Sequence, residues 1–195
     1  MPTESPRPDA PLDDSEVKGA WFVTARRFAL DTHGELGLRA VIERMKPRHR
    51  HALANPLTSM WYPEEAMQDA FAASRVVMTD GTDEKMIEMF EGCSLVGINH
   101  FWRIALRVTS TEFAIRMLPS TWRHMRRGPG TMSVEVDGRH AKIHYRRFPY
   151  FDDVNYRLLV VGTLRPLLRI STGRQANVQI AGFGKTWLDA EVDFA

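Results

Sequence analysis

Two alternating runs joined by Asp-Gly constrain this chain more than anything else in it. Met132, Val134 and Val136 fall on one side and Ser133 and Glu135 on the other, and Ala141, Ile143 and Tyr145 then alternate with Lys142, His144 and Arg146. A period of two over both runs means two strands, each with one face to bury. Asp137-Gly138 between them supplies the positive φ of a type I′ turn. The pair is therefore predicted as a hairpin with Val134 opposite Ala141 and Met132 opposite Ile143 inside, and Glu135 opposite His140 and Ser133 opposite Lys142 outside. A helical stretch from about Asn155 to Ile170 follows, stopped by Gly173. A second pair of runs then sets Val178, Ile180, Leu188, Ala190, Val192 and Phe194 against Asp189, Glu191 and Asp193. The order is ββαββ, an antiparallel sheet with one charged face and one apolar face that something else must cover.

The preceding residues supply helices for that purpose. A helix is predicted from about Val17 to His33 with Gly34 as its stop, and a second continues to Met45. Trp61-Tyr62-Pro63-Glu64-Glu65 has the form of a helix start, with proline near the first turn and carboxylates where the helix dipole favours them; that helix runs to Met78. Another begins near Asp83, and apolar residues recur at helical spacing from Met86 to Leu106. Ser110 caps a further helix carrying Phe113, Ile115 and Leu118, and Gly128-Pro129-Gly130 ends the helical region. The expected fold class is α+β. A helical part (17–128) packs on a sheet part (129–195) as one domain, 17–195, behind a disordered arm, 1–16, broken by Pro2, Pro6, Pro8 and Pro11.

Composition limits the function classes. The chain has 195 residues, 44% of them hydrophobic and 26% charged, with a net charge of +2, too small to argue for nucleic acid on its own. Cys93 is the single cysteine, so an internal disulfide and a cysteine-rich metal site are excluded. No apolar run approaches the roughly 18 residues of a membrane span, and no secretory signal opens the chain, so a cytoplasmic protein is expected.

Several short motifs, in this order and spacing, resemble the haem–nitric oxide/oxygen binding (H-NOX) domain and its relatives of the vinyl-reductase type, and most of all a myxobacterial paralogous family of similar length with no established activity. Val17-Lys18-Gly19-Ala20-Trp21-Phe22 is similar to the Lys-Gly-x-x-Phe opening, with Gly34 ending the first helix. Trp61-Tyr62-Pro63-Glu64 resembles the Tyr-Pro-Asp/Glu helix start, Leu118-Pro119-Ser120-Thr121-Trp122 followed by Gly128 the approach to the sheet, and Gly162 with Leu164 the Gly-x-Leu of the myxobacterial group. The haem-binding members use a proximal histidine before the hairpin and a Tyr-x-Ser-x-Arg signature. Here the proximal position falls on Trp122, which has no lone pair for iron, and His124 points about 200° around the helix from it. Tyr145-Arg146-Arg147-Phe148-Pro149 lacks the serine and the final arginine. The resemblance thus implies the fold without the haem ligands, and no cofactor is assigned; haem held through His100 or His124 is the alternative.

No Gly-x-Ser-x-Gly elbow marks a nucleophile, and Gly182-Phe183-Gly184-Lys185-Thr186 joins two strands as a turn instead of opening a helix over a phosphate. Cys93 and His100 sit on apolar helical stretches and read as core. No catalytic residue and no metal ligand is assigned. Trp61, His100, Trp102, Trp122 and Tyr145 are the candidates to line a ligand site between helices and sheet. Arg126, Arg127, Arg146 and Arg147, near Trp122, Tyr145 and Phe148, could meet a phosphate or other anion, against the plainer reading of a solvated face paired with Asp189, Glu191 and Asp193. The expected function is a non-enzymatic regulatory or sensor module taking a small apolar ligand or a protein partner. The alternatives are a self-associating scaffold domain forming a homodimer, a haem-based gas sensor, a nucleotide-responsive protein and a small-molecule enzyme.

Overall fold

The structure, a computed structural model, describes residues 14–98, 110–174 and 176–194. Most of the expected arm, together with His100 and Trp102, lies outside the described residues.

The chain enters as a strand, where a helix start was expected. β1 (Glu16–Lys18) is the middle strand of a three-stranded antiparallel sheet, between β2 (Trp61–Pro63) and β3 (Arg126–Arg127), with Val17 opposite both Tyr62 and Arg126. The helix begins only after Gly19, whose missing side chain lets the Leu57 carbonyl and the Tyr62 ring approach closely. α1 (Ala20–Arg44) is interrupted at Gly34, where φ 67° and ψ −174° leave the helical region, so it is the two consecutive helices the glycine predicts. A 3₁₀ turn (Pro47–His49) and α2 (Arg50–Ala54) lead through β2 to α3 (Glu64–Val77), with Glu64 and Glu65 in its first turn. α4 (Asp83–Gly97) is capped by Thr82. After the undescribed stretch, Ser110 caps α5 (Thr111–Arg116), its hydroxyl accepting from the Phe113 amide at 3.2 Å, and α6 (Leu118–Met125) brings the chain to β3.

The C-terminal unit has the predicted order. β4 (Thr131–Asp137), β5 (His140–Arg146), α7 (Val154–Thr172), β6 (Asn177–Gly184) and β7 (Trp187–Asp193) form a sheet ordered β4-β5-β7-β6, antiparallel throughout. α7 is stopped by Gly173 in the left-handed conformation at φ 69°. The hairpin register differs from expectation by two residues: Val134 faces Ile143, Met132 faces Tyr145, and Val136 faces Ala141. The loop residues are Gly138 and Arg139, with positive φ at Gly138 alone (58°), which is the type II′ pattern and not I′. Because side chains alternate with period two, a two-residue shift keeps every residue on its predicted face. Ala141, Ile143, Leu188, Ala190 and Val192 are fully buried. On the other face His140 meets Asp193 at 2.9 Å, Lys142 meets Glu191 at 3.7 Å and His144 meets Asp189 at 2.8 Å.

α7 packs on α4 and reaches β6, joining the two parts. The crossing is close because Gly162 offers no side chain: a Cβ there would stand 2.5 Å from the Phe90 Cβ and 2.9 Å from the Ile87 carbonyl oxygen. Asp153 caps α7 by accepting from the Asn155 amide at 2.9 Å, and Arg75 of α3 donates to the Asn155 side chain at 3.1 Å.

Candidate functional site

The helices do not fill the space over the hairpin. The first turns of α1 (Ala20, Trp21, Thr24), the end of α4 (Cys93, Ser94, Gly97), α6 (Leu118, Trp122), the strands (Met132, Tyr145) and α7 (Tyr156, Val160, Thr163) surround a cavity of about 350 Å³. Aromatic and aliphatic side chains make most of its wall. Trp122 packs edge-on against Tyr145 and Phe148, with centroids 5.3 and 5.2 Å apart, and its indole donates to the Gly130 carbonyl at 3.2 Å. Tyr156 is buried and donates its hydroxyl to the backbone carbonyl of Glu64 at 3.1 Å. Burial raises the Tyr145 and Tyr156 phenols well above the usual range, and the negative charge of Glu64 adds to the effect at Tyr156. Burial pushes the Cys93 thiol up to about 12, so it is a protonated, unreactive wall residue.

Among the described residues, one charged group, Arg126, reaches this wall. Arg126 lies on β3 and its register with Val17 turns it inward, where its Nη2 meets Glu64 Oε1 at 3.2 Å; the two side chains are 7% and 0% exposed. Its guanidinium carbon is 4.6 Å from the Trp122 ring centroid, 5.3 Å from that of Phe148 and 5.9 Å from that of Trp21. A buried charge needs such partners, because desolvation without them is far more costly than the pair returns in attraction. Among the described residues, three that line the cavity also hold a fully buried polar atom without a hydrogen-bond partner: Trp21 at Nε1, Ser94 at Oγ and Arg126 at Nε.

The candidate residues named from sequence go to different places. Trp122 and Tyr145 line the cavity. Trp61 does not: it lies on the three-stranded sheet, with Lys18 Nζ 4.4 Å and Arg127 Cζ 4.0 Å from its ring centroid. His100 and Trp102 are outside the described residues. The four arginines are not gathered into one anion cradle. Arg126 is paired inward and Arg127 stacks on Trp61, while Arg146 binds Asp189 at 2.6 Å on the charged face of the sheet and Arg147 follows it in a left-handed turn at φ 59°. Sequence reading missed Ser94 and Glu64. Only Glu64 carried a signal, as a carboxylate directly after Pro63, and that position reads first as helix capping.

No protein-family model matches the sequence, and neither does any curated protein. The fold is that of H-NOX domains. The Fe(II) unliganded H-NOX protein of K. algicida matches 90% of this chain and 95% of its own at a TM-score of 0.65 and 10% identity. A single-substitution variant of the T. tengcongensis H-NOX matches 91% and 97% at 0.66 and 12%. A structure concerned with haem redox potential and porphyrin distortion matches 91% and 94% at 0.65 and 12%. At such identities the likeness is one of fold.

The described wall does not suit a histidine-ligated haem. No imidazole lies on it, Trp122 has no lone pair for iron, and the Cys93 thiol holds its proton. His124 is exposed and donates from Nδ1 to the Ser120 carbonyl at 2.8 Å, consistent with its expected direction away from Trp122. Among the described residues, no group of three or more His, Cys, Asp or Glu side chains could hold a metal ion, and no helix is long and apolar enough to cross a membrane.

Proposed function

We propose that this chain is a non-enzymatic sensor module that takes a small apolar ligand in the cavity between its helices and its sheet, without a histidine-ligated haem. The observation that carries the reading is the cavity itself, about 350 Å³ with a mostly aromatic and aliphatic wall, within the size range of small-molecule sites. Occupancy would be felt by α1, α6 and the hairpin together, and a protein partner in the cytoplasm would read the change. Kinship with the myxobacterial group and the vinyl-reductase-type domains belongs to the same reading, as does the division at residues 128 and 129.

The test is a titration of the purified protein with naphthalene, followed by tryptophan fluorescence, beside an absorbance spectrum of the protein as isolated. A saturable response that Thr163→Phe abolishes is expected, with no Soret band. A Soret band would replace this reading with a haem sensor, and an absent response would remove the ligand. A second reading, a self-associating interaction domain, is favoured by Phe113 and Met117, exposed one turn apart at the start of the α5–α6 segment. Monomeric sedimentation at high concentration would dismiss it.

A further inference from the structure

Resting on the proposed cavity-binding function, we infer that the ligand carries an uncharged oxygen, of the phenol, alcohol or ketone kind, on an otherwise apolar body, and that the Tyr145 hydroxyl binds this oxygen. Tyr145 lies on β5 opposite Met132 and Leu188, on the sheet face turned toward the helices, and it lines the cavity. Side chains stand roughly perpendicular to a sheet, and the rings of Trp122 and Phe151 meet the Tyr145 ring edge-on at 5.3 and 5.4 Å. The ring is held upright, with its hydroxyl at the end that reaches away from the strand. That hydroxyl is unmet. Tyr145 is 3% exposed, and among the described residues no group hydrogen-bonds to its phenol oxygen. The unmet polar atoms sealed from open space are Trp21 Nε1, Arg26 Nε, Glu64 Oε2, Ser94 Oγ and Arg126 Nε, and the Tyr145 oxygen is not one of them. It therefore borders open space, and for a side chain so buried that space is the cavity.

Other groups of the wall show what such a hydroxyl does when the chain can satisfy it. Tyr156 donates to the Glu64 carbonyl at 3.1 Å, Thr24 to the Ala20 carbonyl at 2.9 Å and Thr163 to the Leu159 carbonyl at 2.8 Å. Buried tyrosine hydroxyls usually find a partner, and the partner of Tyr145 must come from outside the chain. Burial keeps the phenol protonated, so it offers a proton and lone pairs together and can meet a hydroxyl or a carbonyl. A carboxylate fits less well. Arg126 is already paired with Glu64 at 3.2 Å, and a further negative charge would stand unbalanced among aromatic rings.

A matched series tests this: β-naphthol and β-methylnaphthalene share a shape and differ by hydroxyl for methyl, and β-naphthoate adds a charge. A hydroxyl prefers water, so against a wall of rings alone β-naphthol would bind more weakly than β-methylnaphthalene. Calorimetric titration of the intact chain should instead show β-naphthol binding at least as tightly, with β-naphthoate weakest. Tyr145→Phe, checked for folding by circular dichroism, should weaken β-naphthol about tenfold and leave β-methylnaphthalene unchanged. A wild type that prefers β-methylnaphthalene, a Tyr145→Phe variant that keeps full affinity for β-naphthol, or tightest binding of β-naphthoate would overturn the oxygen inference and leave the apolar cavity reading standing. Binding of none of the three would overturn both. The wild-type series decides by itself if the variant does not fold.

Discussion

The same two helices, α1 and α4, border two interior regions packed in opposite ways. Where they meet α3 and α7, beside Phe28, Val41, Phe71 and Phe90, only about 40 Å³ remains open. Gly92 lies under the Phe28 ring and Gly162 under Phe90, so the backbones close on one another. Where α1 and α4 meet α6 and the hairpin, about 350 Å³ stays open, and the wall includes Arg126, whose ion-pair partner Glu64 lies behind it. Loose packing throughout would have opened both. The open space is thus a local property of the residues over the hairpin, beside a region bordered by the same two helices that is closely packed.

The largest effect expected from breaking this contrast is at the ion pair. Glu64→Ala leaves Arg126 charged and buried, and should lower the unfolding free energy by about 3–5 kcal/mol in urea titrations, whereas Glu64→Met combined with Arg126→Met should recover most of it. Next is Gly162→Ala on the closed side. The added methyl meets backbone as well as Phe90, so a loss of about 1–3 kcal/mol is expected despite alanine's better helix propensity; a neutral result would end the contrast. On the open side Ser94→Ala removes an unmet hydroxyl, and should raise stability by up to about 1 kcal/mol in the same assay. The smallest effect lies outside both regions. Desolvation pushes the Asp189 carboxyl up, but hydrogen bonds from Arg146 and His144 outweigh it and hold the carboxyl below its usual range. Its contribution is therefore complete above the ordinary carboxylate pKa and is lost as pH falls through the lowered one. The stability difference between wild type and Asp189→Asn should accordingly shrink below about pH 4, as followed by acid titration of the circular dichroism signal.

The sheet was legible because its strands run for seven or eight residues and alternate throughout in β4, β5 and β7, β6 slipping register only between Ile180 and Gly182, and α7 because Gly173 stops it. The hairpin register was not, since a glycine with positive φ serves equally as the second loop residue of one turn and the first of another. The three-stranded sheet was invisible for a different reason. Two or three residues such as Arg126-Arg127 show no period, and only the pairing of remote segments makes them strands. That omission carried over to the site. Read as a surface helix end, Arg126 looked like part of a solvated cluster, whereas pairing with Val17 sends it inside to Glu64. Trp122 and Tyr145 could be placed over the hairpin because their neighbourhood, a helix leading into a hairpin, is local in sequence. Trp61 was misplaced because its helix-start motif says nothing about which side of the strand it occupies.

The short strand β1 pairs at once with segments near residues 62 and 126. A growing chain cannot complete that junction until the second segment has been made, and closing so long a loop gives nothing back before the ends meet. The junction is therefore expected among the late events of folding, and deuterium uptake at the Val17 amide would time the moment when the N-terminal strand locks the helices against the sheet.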